Sequence, residues 1–226
     1  MDKVNFLIKM VLKHEGGYAN IKGDSGGETY MGIAKNSHPN WRGWEILDQY
    51  KPLKRNQIID DKELNTLVYD VYEDDYYNPL KIYKINDLMI SAHLMCHGVN
   101  AGNKSAAKLI QKSINNVYCT NISVDGIIGS NTLKYINMQD KIVDLANEFI
   151  KQRETFYNNI VKSKPSQKKF LKGWLNRINK TTQYVLDYTQ CDSNQNILYA
   201  NMKKNNNILD LMVSFLKVLF KKFFKS

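Results

Sequence analysis

The sequence predicts a mainly α-helical protein with one short β-hairpin after its first helix. Three observations carry this. Apolar residues recur at steps of three and four along most of the chain up to about position 188. One early segment, 15–32, breaks that texture with six glycines. A chain of 226 residues that is 43% hydrophobic can bury a sizeable core.

The elements follow in order. Val4, Leu7, Ile8 and Val11 keep helical spacing and predict a helix over 3–14. Gly16, Gly17, Gly23, Gly26, Gly27 and Gly32 then free the backbone for tight turns, which predicts the hairpin. Asp60 is expected to cap the next helix, with Glu63 completing a capping box. Leu64, Leu67, Val68, Val71 and Tyr72 form its apolar stripe, and Pro79 ends it. Further helices are expected at about 86–98, 104–116, 130–137, 139–162 and 166–188. Asp125-Gly126 reads as the tip of a turn, with Ser130 or Asn131 capping the helix that follows. Residues 181–207 read as a helix end and an asparagine-rich linker. Ile208 to Ser226 forms an amphipathic basic tail helix, with Asp210, Ser214, Lys217, Lys221 and Lys225 on a narrow polar face.

The formal net charge is +10 and the pI about 9.3. Such a surface suits a polyanion: nucleic acid, anionic lipid or the acidic polymers of a bacterial wall. Cys96, Cys119 and Cys191 are odd in number and far apart, which suggests reduced thiols and neither a zinc site nor a disulfide framework. His14, His38, His93 and His97 form no ligand cluster. His93 and His97, four apart on a helix, make a possible metal pair that lacks a third ligand. No metal and no cofactor are therefore expected. Lys9 and Lys13 interrupt the apolar start, so it does not read as a signal peptide. A protein made in the cytoplasm is expected.

The chemistry concentrates in the glycine-rich segment. Glu15 stands where an apolar helix gives way to a loop. Helix packing behind a carboxyl disfavours its charged form, as a general acid requires. Glycoside hydrolysis uses two carboxylates flanking the scissile bond. Asp24, nine positions on and across the turn, is the expected second one; Glu28 is its rival. Thr29 is placed to orient a water. Tyr18, Tyr30, Trp41 and Trp44 lie near enough to stack on sugar rings, and the tryptophans equally suit a core.

The ordered run Glu15-Gly16-Gly17-Tyr18, Asp24-x-Gly26-Gly27-x-Thr29-x-x-Gly32-Ile33 resembles the signature of the glycosyl hydrolase 108 family. Its members are N-acetylmuramidases found as phage endolysins and secretion-activator proteins. The resemblance implies a lysozyme-like fold and cleavage of the β-1,4 bond between N-acetylmuramic acid and N-acetylglucosamine. It puts the catalytic carboxyl at Glu15, with Asp24 and Thr29 beside it. Tyr18, Gly26, Gly27, Tyr30 and Trp44 are then expected to bind substrate. In phage lysozymes, which are similar here, the Thr comes one residue later than Thr29.

Farther on, Ala106-Ala107-x-Leu109-Ile110-Gln111, Val124-Asp125-Gly126-Ile127-Ile128-Gly129 and Phe170-Leu171-x-Gly173-Trp174-Leu175-x-Arg177 resemble the predicted peptidoglycan-binding domain that accompanies this family. Arg153 and Arg177 could instead pair with acidic neighbours. The implied organisation is a muramidase domain over 1–90, the peptidoglycan-binding domain over 91–180, the linker and the tail. Bacterial peptidoglycan is the implied partner, and no nucleic acid is expected. Residues 208–226 suit an anionic membrane surface. Action in the wall or periplasm would need a holin or another export route.

Overall fold

The computed structural model describes residues 2–21 and 26–190. The expected linker and tail helix, and Asp24, lie outside them. Helix α1 (Lys3–Leu12) starts on Asp2, whose carboxylate accepts from Asn5 N at 2.9 Å. That is an N-cap worth about 1 kcal/mol. The helix buries Phe6, Leu7, Ile8, Met10 and Val11. It ends two residues before the expected bound. His14 N and Glu15 N reach back three residues, to Val11 O and Leu12 O, and so tighten the last turn.

Three two-residue strands follow: β1 (Tyr18–Ala19), β2 (Thr29–Tyr30) and β3 (Ile33–Ala34). They form one antiparallel sheet in which Tyr30 faces Tyr18 on one side and Ile33 on the other. The expected hairpin thus gains a third strand. Met31 and Gly32, with φ of 47° and 81°, make the two-residue turn between β2 and β3. Positive φ at both central positions matches the twist of the flanking strands.

Helix α2 (Gly43–Gln49) was not legible in the sequence, where Trp41 and Trp44 read as aromatic candidates. Helix α3 (Lys62–Tyr72) is capped by Asp61, one residue later than expected, and Asp61 Oδ1 accepts from Leu64 N at 2.8 Å. It does not run on to Pro79. At Tyr72 it passes into a π-helical turn, Glu73–Tyr77. Then come α4 (Leu88–Ala101), α5 (Asn103–Tyr118), α6 (Ser130–Ile136), α7 (Ile142–Ser163) and α8 (Lys168–Gln190), close to the expected spans. Gly129 takes the N-cap of α6 with no side-chain bond, so neither Ser130 nor Asn131 caps it. The Asp125-Gly126 turn is present, with Gly126 at φ 85°.

Helix α4 is the axle. Every residue from Met89 to Gly98 is buried. A helix apolar on all sides sits inside a bundle, and α4 packs against α1, α5, α7 and α8. Helix α8 also returns to the start of the chain: Tyr184 and Tyr188 pack on Phe6, at centroid separations of 5.3 and 4.1 Å. The main core is continuous from α1 through α7 and α8. A smaller cluster of Ile150, Tyr157 and Ile178 is closed by Trp174, whose ring stacks on Tyr157 at 5.1 Å. Among the described residues no helix is long and apolar enough to cross a membrane.

Candidate active site

Glu15 leaves α1 into the glycine pair and turns inward. Arg177, from the middle of α8, donates from Nη1 to Glu15 Oε1 at 2.7 Å. The pair is largely shielded, with the two side chains 18% and 20% exposed. Burial works against the Arg177 charge, but the Glu15 carboxylate outweighs it and holds the guanidinium above its ordinary pKa. Helix packing alone was expected behind Glu15; a guanidinium stands there. Arg177 was read only as a closing residue of the second half, with an acidic neighbour as one option. Nothing local signals a partner 162 positions away.

Gly32 explains the glycine at the far end of the motif. A Cβ there would stand 2.5 Å from the Tyr72 hydroxyl and 3.1 Å from Glu15 Oε2. The tip of the β2–β3 turn, the Glu15 carboxylate and α3 therefore meet at one point. Tyr72 completes the junction by donating to Met31 O at 2.8 Å. Burial, with Glu15 beside it, pushes the Tyr72 phenol well up, so it stays protonated as a donor. The motif's spacing reflects this convergence.

Glu15 and Arg177 border a cavity of about 140 Å³. Gly32, His38, Tyr72, Tyr76 and Asn100 complete its polar wall, and Ile33, Val71 and Val99 its apolar one. Of these, Tyr72 and Val71 were legible only as members of an apolar stripe, and His38 and Asn100 carried no distinguishing signal. Tyr72 and Tyr76 stand four apart, which puts both on one helical face.

Thr29 lies in β2, and its hydroxyl donates to Gly27 O at 3.3 Å. Gly27 adopts φ 67°, and Gly26 O accepts from Asn36 N at 3.2 Å, which ties the loop to β3's exit. The aromatic candidates are placed differently from expectation. Tyr30 is fully buried and its hydroxyl accepts from Ile59 N at 3.1 Å. Trp44 is 4% exposed and donates to His38 O at 2.8 Å. Tyr18 is buried and donates to Glu28 Oε1 at 2.8 Å. These three side chains pack into the core around the sheet and α2.

Glu28 is equally committed. Lys35 lies 2.8 Å from one of its oxygens and Lys51 2.6 Å from the other. Burial works to raise its pKa, but hydrogen bonds from Lys35, Lys51 and Tyr18 bring it down to about 2. It staples the sheet to the chain before α3 and does not border the cavity.

Behind the cavity lies a second polar cluster. Arg153 of α7 is completely buried, and its Nη1 and Nε meet His93 Nδ1 and His97 Nδ1, the latter at 3.4 Å. Burial and the adjacent guanidinium push both imidazoles down, His97 to about 3. Both rings are neutral acceptors facing a cation, which is no place for a metal ion. Among the described residues no group of His, Cys, Asp and Glu is arranged to hold one.

Comparison with known proteins bears on this geometry. Residues 8–102 match the model of glycosyl hydrolase 108. Over these residues the chain is similar to the glycosyl hydrolase 108 family. They are followed at 105–179 by a match to the predicted peptidoglycan domain. The glycosyl hydrolase 108 match contains Glu15, Gly32, His38, Tyr72 and Asn100; Arg177 reaches the cavity from within the second match. Among solved structures the fold is similar to Brucella abortus SagA, at 22% identity and a TM-score of 0.55, over 80% of this chain and 93% of that one. No curated protein matches the chain. The family matches support a glycosyl hydrolase that acts on peptidoglycan.

Proposed function

We propose that the chain is a lysozyme-type N-acetylmuramidase that cleaves the β-1,4 bond between N-acetylmuramic acid and N-acetylglucosamine, with Glu15 as general acid. The observation that carries this is the Glu15 carboxyl at a polar cavity, inside the glycosyl hydrolase 108 match, with one oxygen oriented by Arg177. Arg177 engages Oε1, so Oε2 is the oxygen that carries the proton to the leaving sugar. Asp24 is assigned the second carboxylate. Its charge offsets the oxocarbenium character that develops at the anomeric carbon. Thr29 is assigned to assist it by orienting a water.

The division proposed is a muramidase part over 1–90, a wall-binding part over 91–180, and a basic tail over 208–226 that meets an anionic membrane surface. Peptidoglycan is reached through a holin or another export route, and the biological outcome is lysis or release of a cargo. The test is reducing-end release from purified peptidoglycan. The wild type releases new ends; Glu15→Gln releases none, yet still sediments with the wall. Equal release by both would sink Glu15 as the acid. Liposome co-sedimentation with and without residues 208–226 tests the tail, and unchanged binding would dismiss it.

A further inference from the structure

The cavity holds a second acid–base unit. His38 borders the same space as Glu15. Its Nε2 lies 3.3 Å from Asp75 Oδ2. Both partners are built into place. The His38 carbonyl accepts from Trp44 Nε1, and its own N–H donates to Ala34 O at 2.9 Å. Asp75 belongs to the π-helical turn that follows α3, and its carbonyl accepts from Asn103 Nδ2 at 2.6 Å. Single π turns inside helices gather at functional sites, because the extra residue re-aims the side chains around it. Here the turn sends Tyr76 to the cavity wall and Asp75 to the histidine.

Asp75 approaches Nε2, and Nδ1 is the ring nitrogen it does not engage. Among the described residues no hydrogen bond reaches that Nδ1. The volume fits the task. A cavity of about 140 Å³ has room for about four waters at ~30 Å³ each.

We infer that His38, with Asp75 beside it, is the base that takes the proton from the attacking water in the cavity it shares with Glu15. The inference rests on Glu15 as the acid. In the step, the water oxygen bonds to the anomeric carbon while one of its protons passes to His38 Nδ1. The bond from that carbon to the leaving oxygen breaks, its electron pair goes to the oxygen, and Glu15 Oε2 supplies the proton. His38 then gives its proton to solvent and Glu15 regains one. One displacement inverts the anomeric centre, and Asp24 acts through its charge alone.

The experiment compares wild type, His38→Ala, His38→Gln, Asp75→Asn and Glu15→Gln on soluble peptidoglycan oligosaccharides. Circular dichroism checks each fold, and NMR reads the first anomer formed. For His38→Ala, kcat should fall ~10²–10⁴-fold with KM little changed. Added imidazole should restore part of the rate, which a purely structural loss would not allow. Asp75→Asn, on a half-exposed side chain, should lower kcat ~10-fold through lost orientation. The wild-type product should emerge as the α anomer. A β anomer, or His38→Ala and Asp75→Asn within about threefold of wild type while Glu15→Gln is dead, would overturn the inference and leave Glu15 standing. An active Glu15→Gln would instead remove the reading beneath it.

Discussion

Two arginines from the C-terminal half reach back toward the first, and they meet opposite surroundings. Arg177 finds a carboxylate, Glu15, at the wall of a cavity. Arg153 finds two neutral imidazoles in a sealed interior, and among the described residues its Nη2 has no hydrogen-bond partner. The first arrangement balances charge beside a cavity. The second buries a charge among neutral acceptors, an arrangement that holds only while α4 and α7 stay packed. The difference teaches that a shared charge type says little; surroundings and partner decide whether it serves chemistry or holds helices together.

The sharpest way to break the comparison is to remove each guanidinium. Arg153→Ala should cost about 3–5 kcal/mol in urea unfolding, since it opens a cavity and leaves His93 and His97 without their donor. Arg177→Ala should lower kcat by about 100-fold through misplacement of Glu15, with a much smaller shift in the urea midpoint. If the two results were exchanged, the assignment of one cluster to holding and the other to chemistry would be wrong.

Acid should probe the sealed cluster first, before Glu28 titrates. In the fold His93 and His97 resist protonation, His97 down to about 3. The unfolded chain protonates them at their ordinary ~6.5, so it binds more protons between these limits. Stability is therefore complete above ~6.5 and declines as pH falls toward about 3. Melting temperatures across that range should show the slope, and His97→Gln should flatten part of it; a flat wild-type profile would contradict the burial of these rings.

Glu28 supplies the smallest effect. With a folded pKa of about 2, its contribution is present above ~4.5 and is lost as pH falls toward 2. Glu28→Gln should cost about 1 kcal/mol, because Lys35 and Lys51 remain partly solvated, and should leave kcat unchanged. A large fall in kcat would restore Glu28 as a rival for the second carboxylate.

Legibility followed the range of the interaction. Helices α1 and α4 to α8 were readable because periodicity is written within one or two turns. The bounds of α3 were less so: Asp60 and Asp61 both suit a cap, and only the hydrogen bond to Leu64 chooses between them. Helix α2 escaped because its tryptophans look alike as core and as sugar platform. Tyr18, Tyr30 and Trp44 show the same ambiguity, which burial decided. Glu15 and Gly32 were readable as a pattern, and the reason for that pattern appeared only where Gly32 passes Glu15 and Tyr72.

By itself the sequence determined the helical class, the glycine-rich turn and the placing of Glu15 at the end of an apolar helix. Each of these depends on backbone conformation and side chains within a few positions. Tertiary structure alone decided that Arg177 stands against Glu15, that His38 and Asp75 meet across the same cavity, and that Arg153 lies sealed between histidines. Those contacts span tens of residues up to 162. They exist only because α4 is buried on every side, so that α1, α7 and α8 must pack around it and bring their polar groups together at its surface.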